Sequence, residues 1–282
     1  MSEKNSEFEF IQGLTAELSS PALIFPTSLT ATMNIRRAIS QENISNDNVA
    51  RIVSTEPVLS AQILKLSNSA AYNSTGKINT DLRTATMRLG FVKVRNLTIT
   101  VGMKQLSEHK GEISGLMEGL WNRSLRVGTL SSVLAKHQSR INPDNAMLAG
   151  LLHDVGKFYI LNRANHYLSL FTSQQALWNL VDAWHSNIGA AILENWEIPD
   201  EIRNAVQDFG TREIGQRTVP DLTDIIIAAD LLDAHIDERS KYTINWETLP
   251  ASLTRLHLNA DNSKALLDEA KIELDIILKS LN

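Results

Sequence analysis

The chain has 282 residues, of which 43% are hydrophobic and 21% charged, with a net charge of −5 and no cysteine. That balance suits an ordinary globular protein with a core of normal size. It excludes disulfides and thiolate metal sites, does not favour phosphate-driven nucleic-acid binding, and makes a reducing cytoplasm the natural setting. No apolar run reaches the roughly 18 residues of a membrane span, and the stretch Met1-Ser2-Glu3-Lys4-Asn5-Ser6-Glu7 lacks the basic-then-apolar pattern of a signal peptide.

Apolar residues recur at helical spacing almost from the start: Phe8, Ile11, Leu14 and Leu18. Ser20-Pro21 stops that helix, and Pro26 marks an irregular stretch. Leu29, Met33 and Ile39 predict the next helix, and Asn43 to Asn48 a polar turn. Val49, Ile52 and Val53 follow on one face. Pro57 fits a first helical turn, where its missing N–H costs nothing. Thr80 is the expected cap of a helix carrying Leu82, Ala85 and Leu89, with Gly90 as its stop. A further helix runs through Val94, Leu97 and Val101, and Gly111 to Gly115 is the expected break.

The second part opens on a long helix with Leu120, Trp121, Leu125, Leu130 and Leu134. Asn142-Pro143-Asp144 is a helix-start signal. It leads into the apolar run Ala146 to Leu152, which ends in the adjacent pair His153-Asp154 and then Gly156-Lys157. Helices through Leu161, Leu168, Leu177, Leu180 and Trp184, and through Ile188 to Trp196, come next. Ile198-Pro199-Asp200 opens another, residues 210 to 219 read as a loop, Leu222 to Leu232 as a buried helix, and Asp261 to Leu281 as a surface helix. The five tryptophans, Trp121, Trp178, Trp184, Trp196 and Trp246, read as core aromatics, because no basic groove lies beside them. Nowhere is there sustained period-2 alternation, so the fold class is all-α.

A polar pair closing so apolar a run costs free energy unless it is satisfied. His153 and Asp154 therefore either hydrogen-bond internally or hold a metal or a phosphate. Gly76-Lys77 and Gly156-Lys157 lack phosphate-loop spacing, and no Gly-x-Ser-x-Gly or cysteine nucleophile is present.

Several ordered stretches resemble one family. Leu66-Ser67-Asn68-Ser69-Ala70, Ala85 and Leu89-Gly90 resemble the N-terminal lobe of HDOD domains. Ala149 through Lys157 resembles their central motif; His185, Gly189-Ala190, Leu193, Trp196 and Ile198-Pro199 resemble the following segment, and Ala228-Ala229-Asp230 the late motif. The likeness runs from about residue 18 to about residue 235. It implies an HD-like helical core at 113–236, an N-terminal helical lobe at 1–112 and a C-terminal helical extension at 237–282. HDOD domains are relatives of the HD and HD-GYP phosphohydrolases, and are regarded as bacterial regulatory modules without demonstrated catalysis.

The resemblance also lays out a degenerate cavity of Arg123, His153, Asp154, His185, Asp208 and Asp230. HD enzymes place a histidine near Trp121-Asn122-Arg123-Ser124, where this chain has Arg123, which cannot ligate a metal. Paired histidines would fall near Asp208-Phe209. His153, Asp154, His185 and Asp230 remain as ligands for at most a single divalent metal. Arg123 offers another use of the cavity: its fixed charge can pair with Asp154 or Asp230 in place of a metal, or hold a phosphate or carboxylate. The expected function is a regulatory module without a resident cofactor or catalysis, acting on a protein partner, with room for a nucleotide or other small ligand. The alternative is a metal-dependent phosphohydrolase of a nucleotide or cyclic dinucleotide.

Overall fold

The structure is a computed structural model that describes residues 10–14, 16–17, 27–41, 43–108, 113–137, 140–165, 173–211, 218–238 and 240–281. All regular secondary structure among them is helical. Residues 10–14 and 16–17 form α1. They are followed by α2 (Thr27–Ile39), α3 (Asn46–Val53), α4 (Pro57–Asn68), α5 (Leu82–Leu89), α6 (Phe91–Ser107), α7 (Ser114–Lys136) and α8 (Pro143–Leu152). The last six are α9 (Val155–Ala164), α10 (Gln174–Asn195), α11 (Asp200–Thr211), α12 (Leu222–Ile236), α13 (Ala251–Arg255) and α14 (Ala260–Leu281). No helix among the described residues is long and apolar enough to cross a membrane.

Two compact units emerge. One comprises Met1–Ile24 and Ser107–Leu267, the other Phe25–Leu106 and Asp268–Asn282. The linear division at 112 and 236 expected from the resemblance differs from this. The N-terminal residues and the segment around α13 belong with the HD-like core, and the end of α14 belongs with the lobe. Side chains account for both placements. Phe10 and Leu14 are buried, and Glu17 accepts a 2.9 Å hydrogen bond from the Tyr159 hydroxyl and pairs with Arg163, tying α1 to α9. In the other unit, Lys104 of α6 donates to the Leu281 carbonyl at 2.6 Å, satisfying an end carbonyl of α14.

Helix boundaries follow local chemistry. Asn142 caps α8 by accepting from the backbone N–H groups of Asp144 and Asn145 at 2.8 and 3.1 Å. Glu56 caps α4 ahead of Pro57, and Gly90, at φ +79°, stops α5. Asp81, and not Thr80, caps α5: its carboxylate accepts from both the N–H and the hydroxyl of Thr84. The turn at Asn43 to Asn48 is shorter than expected, because Ser45 caps α3. The two helices expected between 177 and 196 are one, α10. α11 runs through to Thr211, two residues into the expected loop. α14 is partly buried through Ser263, Leu266, Ala270 and Leu281, so it is packed and not a wholly surface helix. Trp121 and Trp196 are core residues, but Trp184 is 41% exposed on α10, a correction to its reading as a core aromatic. The expected stop at Ser20-Pro21, Leu18, Leu168, Gly111 and most of the 210–219 loop lie outside the described residues.

Within the HD-like unit, α7 and α8 form an antiparallel pair joined at Asn142, and α12 packs along α7. The approach of α7 to α8 depends on glycine. A Cβ on Gly150 would stand 2.8 Å from Gly128 Cα and 2.9 Å from the Val127 carbonyl. That contact fixes the separation and register of the pair. It brings Arg123, five residues before Gly128, opposite the end of α8.

Candidate functional site

The His-Asp pair sits between two helices: His153 ends α8 and Asp154 precedes the first residue of α9. Both are buried, at 1% and 0% exposure. The Gly150 carbonyl accepts from His153 Nδ1 at 2.6 Å. A carbonyl only accepts, so Nδ1 carries the proton and Nε2 presents its lone pair. Arg123 of α7 donates to that lone pair, with Nη1 2.8 Å from Nε2. The same nitrogen donates to Asp154 Oδ2, and Nη2 donates to Asp230 Oδ1 of α12. The guanidinium thus joins three elements through the three side chains that the resemblance lists as surviving HD ligands beside His185. On the other edge of Asp154, Lys157 Nζ lies 3.0 Å from Oδ1.

Arg123 and Lys157 together bring two positive charges against the carboxylates of Asp154 and Asp230. This is the charge one divalent ion would supply. Burial works against the ionised form of Asp154. The cations facing it, Lys157 and Arg123, outweigh burial and hold its carboxyl well below the usual carboxylate range. Burial also disfavours the Arg123 cation, but Asp154, Asp230 and Asp233 keep it protonated beyond its ordinary value. A second arginine repeats the pattern one turn on. Arg126 bonds Asp233 through Nε and Nη2 at 2.6 and 2.9 Å, so residues three apart on α7 meet residues three apart on α12.

His185 stands apart from this bonded cluster. It lies on α10 beside Gly156 of α9, where an added Cβ would come within 1.9 Å of the His185 carbonyl. Its Nδ1 faces the carbonyls of Val181 and Asp182, each at 3.1 Å, and the Ser186 hydroxyl lies 3.2 Å from Nε2. With Nδ1–H donating, Nε2 accepts from Ser186, and both ring nitrogens are engaged. Burial first, then the nearby Lys157 charge, lower the imidazole below its ordinary 6.5. The folded state therefore resists protonation that the unfolded chain accepts, and stability should fall as the pH drops below about 6.5. The urea midpoint of the parent should decline from about pH 7 to about pH 5.5, a window in which Asp154 stays ionised. In His185→Gln that decline should be visibly shallower, and an unchanged slope would remove His185 as its source.

Asp208 is half-buried on α11. Its neighbour Phe209 enters the site instead, packing edge-on against the His153 ring with centroids 5.1 Å apart and planes at 86°. Of the six expected cavity residues, the structure brings Arg123, His153, Asp154 and Asp230 together, while Lys157, Phe209 and the Arg126–Asp233 pair complete the surroundings. The signal for the last lay in α12, where Asp224, Asp230 and Asp233 interrupt an apolar helix and each needs a counter-charge. Arg255 supplies it for Asp224, donating from Nε at 3.0 Å.

A divalent metal does not fit this arrangement. The lone pair of His153 and one oxygen each of Asp154 and Asp230 already point at a fixed cation, and His185 is turned to other partners. Among the described residues, no group of three or more His, Asp or Glu is arranged to hold a metal ion.

The model of the HDOD domain matches residues 25–209, and the chain belongs to this family. It is similar to the crystal structure of a protein of Shewanella amazonensis SB2B provisionally named a metal-dependent phosphohydrolase, with a TM-score of 0.76 and 25% identity over 98% of this chain and 99% of that one. An HDOD domain protein of unknown function from Geobacter sulfurreducens aligns with a TM-score of 0.61 and 20% identity, covering 98% and 96% of the two chains. A protein of Marinobacter aquaeolei VT8, provisionally named a signal transduction protein, gives 0.62 at 16% identity, covering 98% of this chain and 65% of that one. Among curated proteins, an uncharacterised protein of Treponema pallidum (strain Nichols) is 24% identical over 254 residues, or 85% of this chain and 47% of its own length. The chain thus spans about half the length of that relative.

Proposed function

We propose that this chain is a bacterial, cytoplasmic regulatory module that acts through contacts with a protein partner and does not itself catalyse hydrolysis. One observation carries the reading: the Arg123 guanidinium bonds His153, Asp154 and Asp230 at once. Hydrolysis at an HD site requires a metal with an open position for water, which lowers the pKa of that water and stabilises the phosphoryl charge. Here a fixed organic cation stands among the ligands and offers no such position. The cluster then acts as a structural tie between α7, the α8–α9 junction and α12. The absence of cysteine from the sequence suits a reducing compartment. The signal transduction name of the Marinobacter protein favours the same role, and the phosphohydrolase name of the Shewanella protein favours the opposite one.

The assay that separates them is turnover of bis(p-nitrophenyl) phosphate and of a cyclic dinucleotide by the purified chain with Mn²⁺ or Fe²⁺ added. The expected rate equals that of buffer with metal. Turnover above that background that disappears in His153→Ala would overturn the proposal and assign the site to catalysis.

A further inference from the structure

We infer that the connection between α4 and α5, with the start of α6, is a docking surface for an acidic protein segment carrying aliphatic side chains. The inference rests on the contact role proposed above and names a surface and a partner chemistry for it.

The connection is held in one shape by its own hydrogen bonds. The Asn68 side chain donates to the Asn79 carbonyl at 2.7 Å and accepts from the Asn79 N–H at 2.8 Å, closing the segment at its base. Asn73 donates from Nδ2 to the Lys77 carbonyl at 3.0 Å, and its own N–H reaches the Ser69 carbonyl at 2.9 Å. Gly76, at φ +69°, makes the turn between them. The product of this ordering is Ile78, held 81% exposed beside the exposed Lys77. A lone exposed isoleucine needs no explanation. One fixed in place by a closed set of side-chain bonds is pre-organised, so a partner that covers it loses little further entropy.

The surroundings are cationic. Lys93 of α6 places Nζ 5.8 Å from the centre of the Tyr72 ring, and Arg88 of α5 donates to the Ser67 carbonyl at 2.7 Å, at the foot of the segment. Residues 25–106 hold ten Lys and Arg against four Asp and Glu, a net of +6 in a chain whose total is −5. The described acids of this stretch are already engaged. Asp47 pairs with Arg83, while Glu56 and Asp81 cap α4 and α5. The acids of 268–282, four against two lysines, bring the unit to +4, and that sign matches an acidic partner.

The apolar component selects the class of that partner. Ile78, and Met87 and Val92 elsewhere on α5 and α6, are exposed aliphatic groups. Tyr72 has Lys93 over its ring, which covers one face of it against a stacking base. One protruding isoleucine buries too little to insert in a bilayer. A protein segment with carboxylates for the cations and an apolar side chain to cover Ile78 satisfies both components.

The test is selection of a phage-displayed random peptide library on the immobilised full chain, followed by affinity measurement of the enriched peptides on parent, Ile78→Asp and Lys77→Glu. Both positions are exposed, and thermal melting of the variants should match the parent. The expected peptides carry net negative charge with aliphatic residues and lose about tenfold or more in affinity on each variant. Neutral or basic consensus peptides, or peptides indifferent to both substitutions, would overturn the proposal. So would binding of a dT oligonucleotide or of phosphatidylglycerol vesicles that the same substitutions abolish, or self-association that they abolish. Peptide capture reads the surface and phosphodiester turnover reads the HD cluster, so failure of the one is distinct from failure of the other.

Discussion

Arg123→Ala should destabilise the chain by about 3–5 kcal/mol, the cost of removing one partner from a buried ion cluster. Asp154 is fully buried and Asp230 is 3% exposed. Without the guanidinium, Lys157 still faces Asp154, but Asp230 and the His153 lone pair lose the donor that joins them to α7. Thermal unfolding should shift down by on the order of 10 °C for a domain of this size. Arg123→Lys should fall between parent and alanine, because one ammonium keeps the charge but not the planar fork that reaches three acceptors. An Arg123→Ala protein as stable as its parent would remove the structural role assigned to the cluster.

Gly156→Ala should cost about 3 kcal/mol, against the sign expected from helix propensity. Alanine is favoured over glycine within a helix by up to about 1 kcal/mol. Opposing this, an alanine methyl would stand 1.9 Å from the His185 carbonyl oxygen and 2.9 Å from Gly189 N, both backbone atoms that cannot swing aside. α9 and α10 would have to separate, which is overpacking at a helix contact. Gly119 of α7 is the control, since a Cβ there meets nothing within 4 Å. Gly119→Ala should leave stability unchanged or raise it by up to about 1 kcal/mol. Denaturant unfolding of the two variants side by side measures both signs. Stabilisation by Gly156→Ala would contradict the close contact of α9 and α10.

Much of the fold was legible because its signals are local. Proline at the start of α4, Asn142 ahead of α8 and Gly90 after α5 mark ends by chemistry that acts within a few residues. The cap of α5 lies one position after the expected Thr80, since Thr80 and Asp81 are both good caps and the Asp81 carboxylate is the one that accepts from the Thr84 N–H. Membership in the two units was less legible. The Tyr159–Glu17 bond spans 142 residues, and no periodicity announces it. At the site, Arg123 is legible beside Asp154 and Asp230 only through the resemblance, which sets it where HD enzymes place a histidine; that buried carboxylates need partners makes pairing one of its two expected uses. The role of Phe209 against His153 is not legible, because an aromatic residue in an amphipathic helix reads as core wherever it falls. Gly156-Lys157 lacks phosphate-loop spacing, and Lys157 serves the site in another way. Its link to Asp154 is an i,i+3 contact that the sequence already held.

The central claim is that Arg123 stands where a metal would otherwise be held. The direct measurement is elemental analysis of untagged parent and Arg123→His proteins after incubation with Mn²⁺ and Fe²⁺ and removal of unbound ions. The account predicts well under about 0.1 equivalent in the parent and about one equivalent in Arg123→His, where an imidazole would join His153, Asp154 and Asp230 as a ligand. About one equivalent in the parent, lost in His153→Ala, or a folded Arg123→His protein that takes up none, would contradict it.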